Sequence, residues 1–172
     1  LWRHNRGLRI PRTGLITERR IPVILEQKVT GNEARRAYRR LSGALAEPAP
    51  GRLGLTLPPD PVRVAELPYY AFHPFGVERR RAEVLRVVCA RSPWIDEAFD
   101  LTLDAAETRL STLHGIGAWT VAEVARIALG DADAVSVGDY HVTNTVAWAL
   151  AREPRGTDER VLELLEHYRL HP

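Results

Sequence analysis

Leu113-His114-Gly115-Ile116-Gly117-Ala118-Trp119-Thr120 is the stretch whose reading decides the fold, and an acid, Asp139, follows it in Ser136-Val137-Gly138-Asp139-Tyr140. Two glycines flanking one apolar residue, set between two helical patterns, make a tight turn whose backbone can approach another group closely. The amides of Gly115, Gly117 and Thr120 then crowd at the start of the next helix. Unpaired N–H groups and the helix dipole favour an anion such as phosphate there. A phosphate grip followed by a separate carboxylate reads as a site rather than as a plain loop.

Outward from this turn the chain is punctuated as helices throughout. Residues 1–20 are Arg-rich, carry Gly7, Pro11 and Gly14, and lack a helical period, so an extended arm is predicted. A first helix is predicted from Pro22, which suits a first-turn position, to about Thr30-Gly31. Asn32 is the predicted cap of a second helix ending near Ala46. There Ala34, Ala37, Tyr38, Leu41 and Leu45 form an apolar stripe at 3.6-residue spacing, with Arg35, Arg36, Arg39 and Arg40 on the other side. Prolines crowd residues 47–61 into a loop. Helices are predicted near 61–67, 77–90, 94–99, 104–112, 117–129, 139–151 and 158–170, the last with Val161, Leu164, Leu165 and Tyr168 inward. No repeat and no strand-like alternation stands out. The expectation is an all-α fold, a compact bundle of about eight to ten helices in one domain over residues 21–172, with residues 1–20 as an arm.

At 172 residues the chain is long enough to bury a real core. It has one cysteine, Cys89, inside the apolar run Val84-Leu85-Arg86-Val87-Val88-Cys89. One cysteine permits no internal disulfide and no four-cysteine iron–sulfur cluster. No apolar run reaches the length of a membrane span and no secretory signal is visible, so the expected setting is the cytoplasm, without a membrane partner. The chain begins at Leu1 and holds no methionine, which reads as a trimmed product, residues 1–20 being the remnant of a missing N-terminal region. The net charge of +2 hides an asymmetry. Residues 1–52 hold twelve Lys or Arg against four acids, whereas residues 53–172 hold twelve against eighteen. A basic half suits a polyanion, although a solvated charged surface has the same composition.

The segment from 110 to 150 resembles the helix-hairpin-helix DNA glycosylases, named for their hairpin, a Gly/Pro-rich loop and an aspartate. The likeness is nearest to the bacterial 3-methyladenine glycosylase II type, whose hairpin also reads G-I-G-x-W-T and whose acid also precedes a tyrosine. Ile24-Leu25-Glu26-Gln27-Lys28-Val29-Thr30 is similar to that family's I-L-G-Q-x-V-S helix. The resemblance implies a base-excising enzyme that binds double-stranded DNA as a monomer in the bacterial cytoplasm or nucleoid. It needs no cofactor and has no iron–sulfur cluster. A Na+ or K+ ion held by the carbonyls of Ser111, Leu113 and Ile116 is also implied. Gly115, Gly117, Thr120, Gln27 and Lys28 are expected at the DNA, together with Arg35 and Arg39 of the basic stripe.

The resemblance makes Asp139 the catalytic acid. An aspartate after a glycine at the head of an apolar run is also a common helix cap, and the two roles are compatible. When a base leaves deoxyribose the sugar gains oxocarbenium character, which a fixed carboxylate stabilises. Asp131 and Asp133 lack the motif and read as solvated loop acids. Trp119 matches a tryptophan of the family's base pocket, where an extruded base stacks on an aromatic face; core packing is its plain structural reading. Tyr69 and Tyr70 are candidates for the same pocket, as is Glu123, which stands where the related enzyme carries a tyrosine. Lys28 replaces an apolar wedge residue and is the only lysine in the chain. Lyase-competent relatives place their lysine two residues after the second hairpin glycine, and here Trp119 stands there. The implied activity is therefore a monofunctional glycosylase acting on a damaged, alkylated base. A non-catalytic helix-hairpin-helix DNA-binding module is the alternative, which would need neither Asp139 nor Gln27. His73 and His141 fit no zinc spacing.

Overall fold

The computed structural model describes residues 7–168. Among them are nine α-helices and no strand, only an isolated antiparallel bridge from Pro48 to Thr56 in the proline-rich loop. The helices are α1 (Ile16–Glu26), α2 (Gly31–Leu45), α3 (Pro61–Glu66), α4 (Arg79–Ala90), α5 (Ser92–Asp96), α6 (Leu103–Ser111), α7 (Ala118–Val124), α8 (Tyr140–Ala151) and α9 (Asp158–Glu166). Short 3-10 turns occupy Tyr69–Phe75 and Glu97–Asp100, and a π turn, Ala125–Leu129, extends α7. This is the all-α bundle expected from the sequence.

Helix α1 runs through the centre and packs on α2, α4, α5 and α7. Its Ile21, Ile24 and Leu25 are fully buried in a core shared with Leu41 of α2, Leu85 of α4 and Leu110 of α6. The helix starts at Ile16, not at Pro22, so Pro22 lies inside it and residues 16–20 belong to the fold rather than to an arm. Leu15 offers no side-chain cap. The cap comes instead from Asp96 of α5, whose Oδ1 accepts the Thr17 N–H at 3.0 Å and the Thr17 hydroxyl at 2.9 Å. An interior proline costs about 3 kcal/mol, which the buried Ile16, Thr17, Ile21 and Ile24 face offsets. Arg20 is also buried and donates to the Leu110 carbonyl at 3.1 Å. Burial lowers its pKa to about 10 against the opposing pull of Asp96.

The residues just before α1 are docked too. The Thr13 and Gly14 amides donate to the Ile127 and Ala128 carbonyls at 3.2 and 3.0 Å, and Arg12 lies over the Phe99 ring. Helix α1 ends at Glu26, earlier than expected, with Arg81 of α4 donating to the Leu25 carbonyl at 2.8 Å. Thr30, not Asn32, caps α2 in a capping box with Glu33. The α2 stripe falls as its spacing predicts, with Ala34, Ala37, Leu41 and Leu45 buried and the four arginines exposed.

Helices α8 and α9 pack on each other. Ala147 is the one buried residue of α8 and Val161 that of α9, so this pair is peripheral. Tyr168, expected inward, is exposed. Cys89 is buried, and desolvation pushes its thiol up to about 12, which makes it an inert core residue.

Candidate active site

The turn after α6 brings Gly115 to φ +81°, a conformation that side chains rarely adopt, and a Cβ there would overlap a methyl of Val84 on α4. Gly117 has ordinary extended backbone and open space around it. It caps α7 without a side chain, which leaves the first-turn N–H groups to solvent or a ligand. Gln27 holds the turn from the end of α1. Its Nε2 donates to the Gly115 carbonyl and to the Thr120 hydroxyl, both at 3.0 Å. Thr120 is buried. Gln27 and Thr120 are thus engaged with each other, clamping the hairpin from within.

Asp139 caps α8. Its Oδ1 accepts the His141 and Val142 amides at 2.8 and 3.0 Å, and its Oδ2 faces the Trp119 indole N–H at 3.3 Å. Burial pushes the carboxyl up, but the bonds from Val142, His141 and Trp119 outweigh it and hold the pKa below the usual aspartate value. The group is ionised at neutral pH.

Asp139 and Trp119 line a cleft of about 730 Å³ together with Gly115, Gly117, Gln27 and Lys28. Lys28 adopts a left-handed backbone, φ +54°, in the turn between α1 and α2, and its side chain is exposed. The size suits an object larger than a single water shell and falls within the usual range for small-molecule sites. A carboxylate, an indole and a glycine-lined helix start meet on one concave surface.

The fold is that of the helix-hairpin-helix DNA glycosylases. A 3-methyladenine DNA glycosylase from Archaeoglobus fulgidus superposes with a TM-score of 0.77 at 21% identity, over 88% of this chain and 52% of that one. A Schizosaccharomyces pombe 3-methyladenine DNA glycosylase bound to abasic DNA gives 0.74 at 19% identity, over 92% and 76%. An 8-oxoguanine glycosylase/lyase from Clostridium acetobutylicum, in complex with DNA, gives 0.74 at 13% identity, over 97% and 58%. The chain thus spans about half to three quarters of the length of these structures. No protein-family model and no curated protein matches its sequence.

In this glycosylase fold several expected site residues sit elsewhere. Glu123 is not on the cleft surface; its Oε2 pairs with Arg19 at 3.1 Å and Arg126 at 2.9 Å, and its Oε1 accepts the Ser136 hydroxyl at 2.6 Å. Four residues from Trp119, it shares that side of α7, and it is the bonds to Arg19, Arg126 and Ser136 that draw its carboxylate away from the cleft. Tyr69 and Tyr70 pack edge to face, with Arg79 over Tyr69, away from the cleft lining. Arg35 and Arg39 border a separate shallow depression with Tyr38, and Arg35 donates to Asn32 at 2.8 Å.

Conversely, Glu26, Glu78, Arg80, Arg81 and His141 border the cleft, and sequence reasoning assigned them no part there. The run Arg79-Arg80-Arg81 was visible, but nothing local tied α4 to the hairpin. Glu26 is half-buried, and desolvation raises its carboxyl against the lowering pull of Arg19. Of the carbonyls expected around a monovalent cation, Leu113 accepts the Ile116 N–H at 3.1 Å and keeps one lone pair. Ser111 ends α6, where carbonyls lack helical partners. Among the described residues no group of three His, Cys, Asp or Glu side chains is arranged to hold a metal, and no helix is long and apolar enough to cross a membrane.

Proposed function

We propose that this chain is a monofunctional DNA N-glycosylase that extrudes a damaged, alkylated base from double-stranded DNA and cleaves its N-glycosidic bond. The observation that carries this reading is the placement of an ionised Asp139 against the Trp119 indole in one cleft with the hairpin glycines. A non-catalytic binding module would use the hairpin alone and has no need of a cleft aspartate whose second oxygen faces the Trp119 indole.

The steps follow from these groups. The hairpin amides and nearby cations take the backbone phosphates, and the extruded base stacks on Trp119. The N-glycosidic bond breaks with its electron pair leaving on the base, so that C1′ of the sugar becomes cationic. Asp139 stabilises that charge, water adds to C1′ and loses a proton, and an abasic site remains. A positively charged alkylated base is already a good leaving group and gains from the indole face. A Na+ or K+ ion at the Ser111, Leu113 and Ile116 carbonyls would add a positive charge beside the hairpin phosphate.

Lys28 is the one amine side chain and it borders the cleft, which makes the subtype testable. The monofunctional reading expects N-methylated duplex DNA to leave the reaction uncut, with abasic sites revealed only by heating in alkali. Borohydride should trap no enzyme–DNA adduct. Efficient trapping would replace this reading with a lyase using Lys28 or the chain's terminal amine, and binding without any base release would favour the non-catalytic module.

A further inference from the structure

Asp139 is attached to a sparsely buried part of the fold. It begins α8, which has one buried residue, Ala147, and α8 leans on α9, which has one buried residue, Val161. A carboxylate held only by its own helix would share that helix's freedom. Rates of bond cleavage respond steeply to placement, on the order of a hundredfold for about 1 Å. The Trp119 indole of α7 is one tie from outside α8, at 3.3 Å to Oδ2; a second runs through the loop backbone that carries Asp139.

Resting on the glycosylase reading, we propose that Glu123 is the positioning residue of Asp139, acting through Ser136 as a strut from the core to the loop of residues 136–139. The bonds form one chain. Arg19 of α1 donates to Glu123 Oε2 at 3.1 Å, and its Nε reaches the Glu123 carbonyl at 3.4 Å. Arg126 donates to the same Oε2 at 2.9 Å. The other oxygen, Oε1, accepts the hydroxyl of buried Ser136 at 2.6 Å, and the Ser136 carbonyl accepts the Asp139 N–H at 3.1 Å. Both carboxylate oxygens are thus engaged, so Glu123 is not available to read a base. Its ties run to α1, the same central helix whose end clamps the hairpin through Gln27. One helix thereby sets the position of both the phosphate grip and the catalytic carboxylate.

Ser136→Ala separates this role from general support, because it removes the hydroxyl link and leaves Arg19, Glu123 and Arg126 paired. The expected result is a melting temperature and DNA affinity close to the parent's, with single-turnover base release about tenfold or more slower. Ser136→Thr, which restores a hydroxyl, should recover rate. Glu123→Ala should lower both rate and melting temperature, since Arg19 is left half-buried without its partner. Glu123→Gln keeps an acceptor for Ser136 and should recover rate relative to alanine, while the melting temperature stays low.

Parental base release by Ser136→Ala would overturn the strut, as would rates that simply follow melting temperature across the four variants. Hydrogen exchange of the Asp139 amide gives an independent reading, faster in Ser136→Ala if the strut holds the loop. A parent chain that releases no base overturns the glycosylase reading. Exchange at Asp139 then decides the strut alone, unchanged protection being the result that rejects it.

Discussion

At the scale of the residue, Asp139 carries two functions on separate oxygens. Oδ1 caps α8 and Oδ2 faces Trp119 Nε1. Asparagine caps about as well as aspartate, so Asp139→Asn should stay folded. Its carbonyl will keep the His141 and Val142 amides, which turns the NH2 group toward the indole N–H, donor against donor. The variant thus loses the anion and also repels the indole. Base release should fall by on the order of a hundredfold or more, while DNA binding is equal or tighter for want of a negative charge. Parental rates would show that Asp139 is only a cap. The pH dependence has a definite sign. A carboxyl whose folded pKa lies below its unfolded value adds stability above the unfolded value and loses it as pH falls through the folded one. The difference in melting temperature between parent and Asp139→Asn should therefore shrink as pH drops below the ordinary aspartate range. The acid limb of base release should also lie below that range.

At the scale of the element, the hairpin is shaped from outside itself. Gly115 meets two demands at once, a left-handed backbone and close approach to Val84 of α4. Gly115→Ala should cost about 1–2 kcal/mol from the backbone and about 1–3 more from overpacking, seen as a lower denaturation midpoint. Adding Val84→Ala should return the packing part and leave the backbone part. Full recovery in the double variant would mean that the turn does not need its positive φ. Gly117 behaves differently, since its backbone is ordinary and no atom crowds it. Its lack of a side chain serves access to the helix start. The loop after α7 is tied from its other flank as well, where the Gly138 amide donates to Asp158 Oδ1 at 3.0 Å at the head of α9.

At the scale of the whole molecule, charge and cleft do not coincide as the sequence implies. The exposed arginines of α2 do not border the Asp139 cleft; Lys28 and Arg80 do. Neither of these two makes an ion pair or side-chain hydrogen bond among the described residues, which leaves both free for phosphate. If duplex DNA seats over this cleft, Lys28→Ala and Arg80→Ala should each reduce the slope of log affinity against log salt by about one. Arg36→Ala, on the outer face of α2, should leave the slope unchanged. Titration of a labelled duplex at several salt concentrations checks this. The opposite pattern would move the DNA onto α2 and away from Asp139.

What the sequence determined by itself was local in origin. The glycine turn, the Asp139 cap, the α2 stripe and the proline-rich loop each follow from backbone chemistry within a few residues, and spacing alone encodes that chemistry. The all-α class followed from the same periodicity. The start of α1 was illegible because its cap, Asp96, lies 79 residues away on another helix. Gln27 and Thr120 are 93 residues apart, and nothing at either position signals that they bond to each other. Glu123 is a pocket candidate by its place in the resemblance and the Tyr69–Tyr70 pair by residue type, yet ion pairing and packing direct them elsewhere. Which side chains share the cleft depends on how α1, α4, α7 and α8 lie against one another, and that geometry is set by burial of the common core, not by any one segment's pattern.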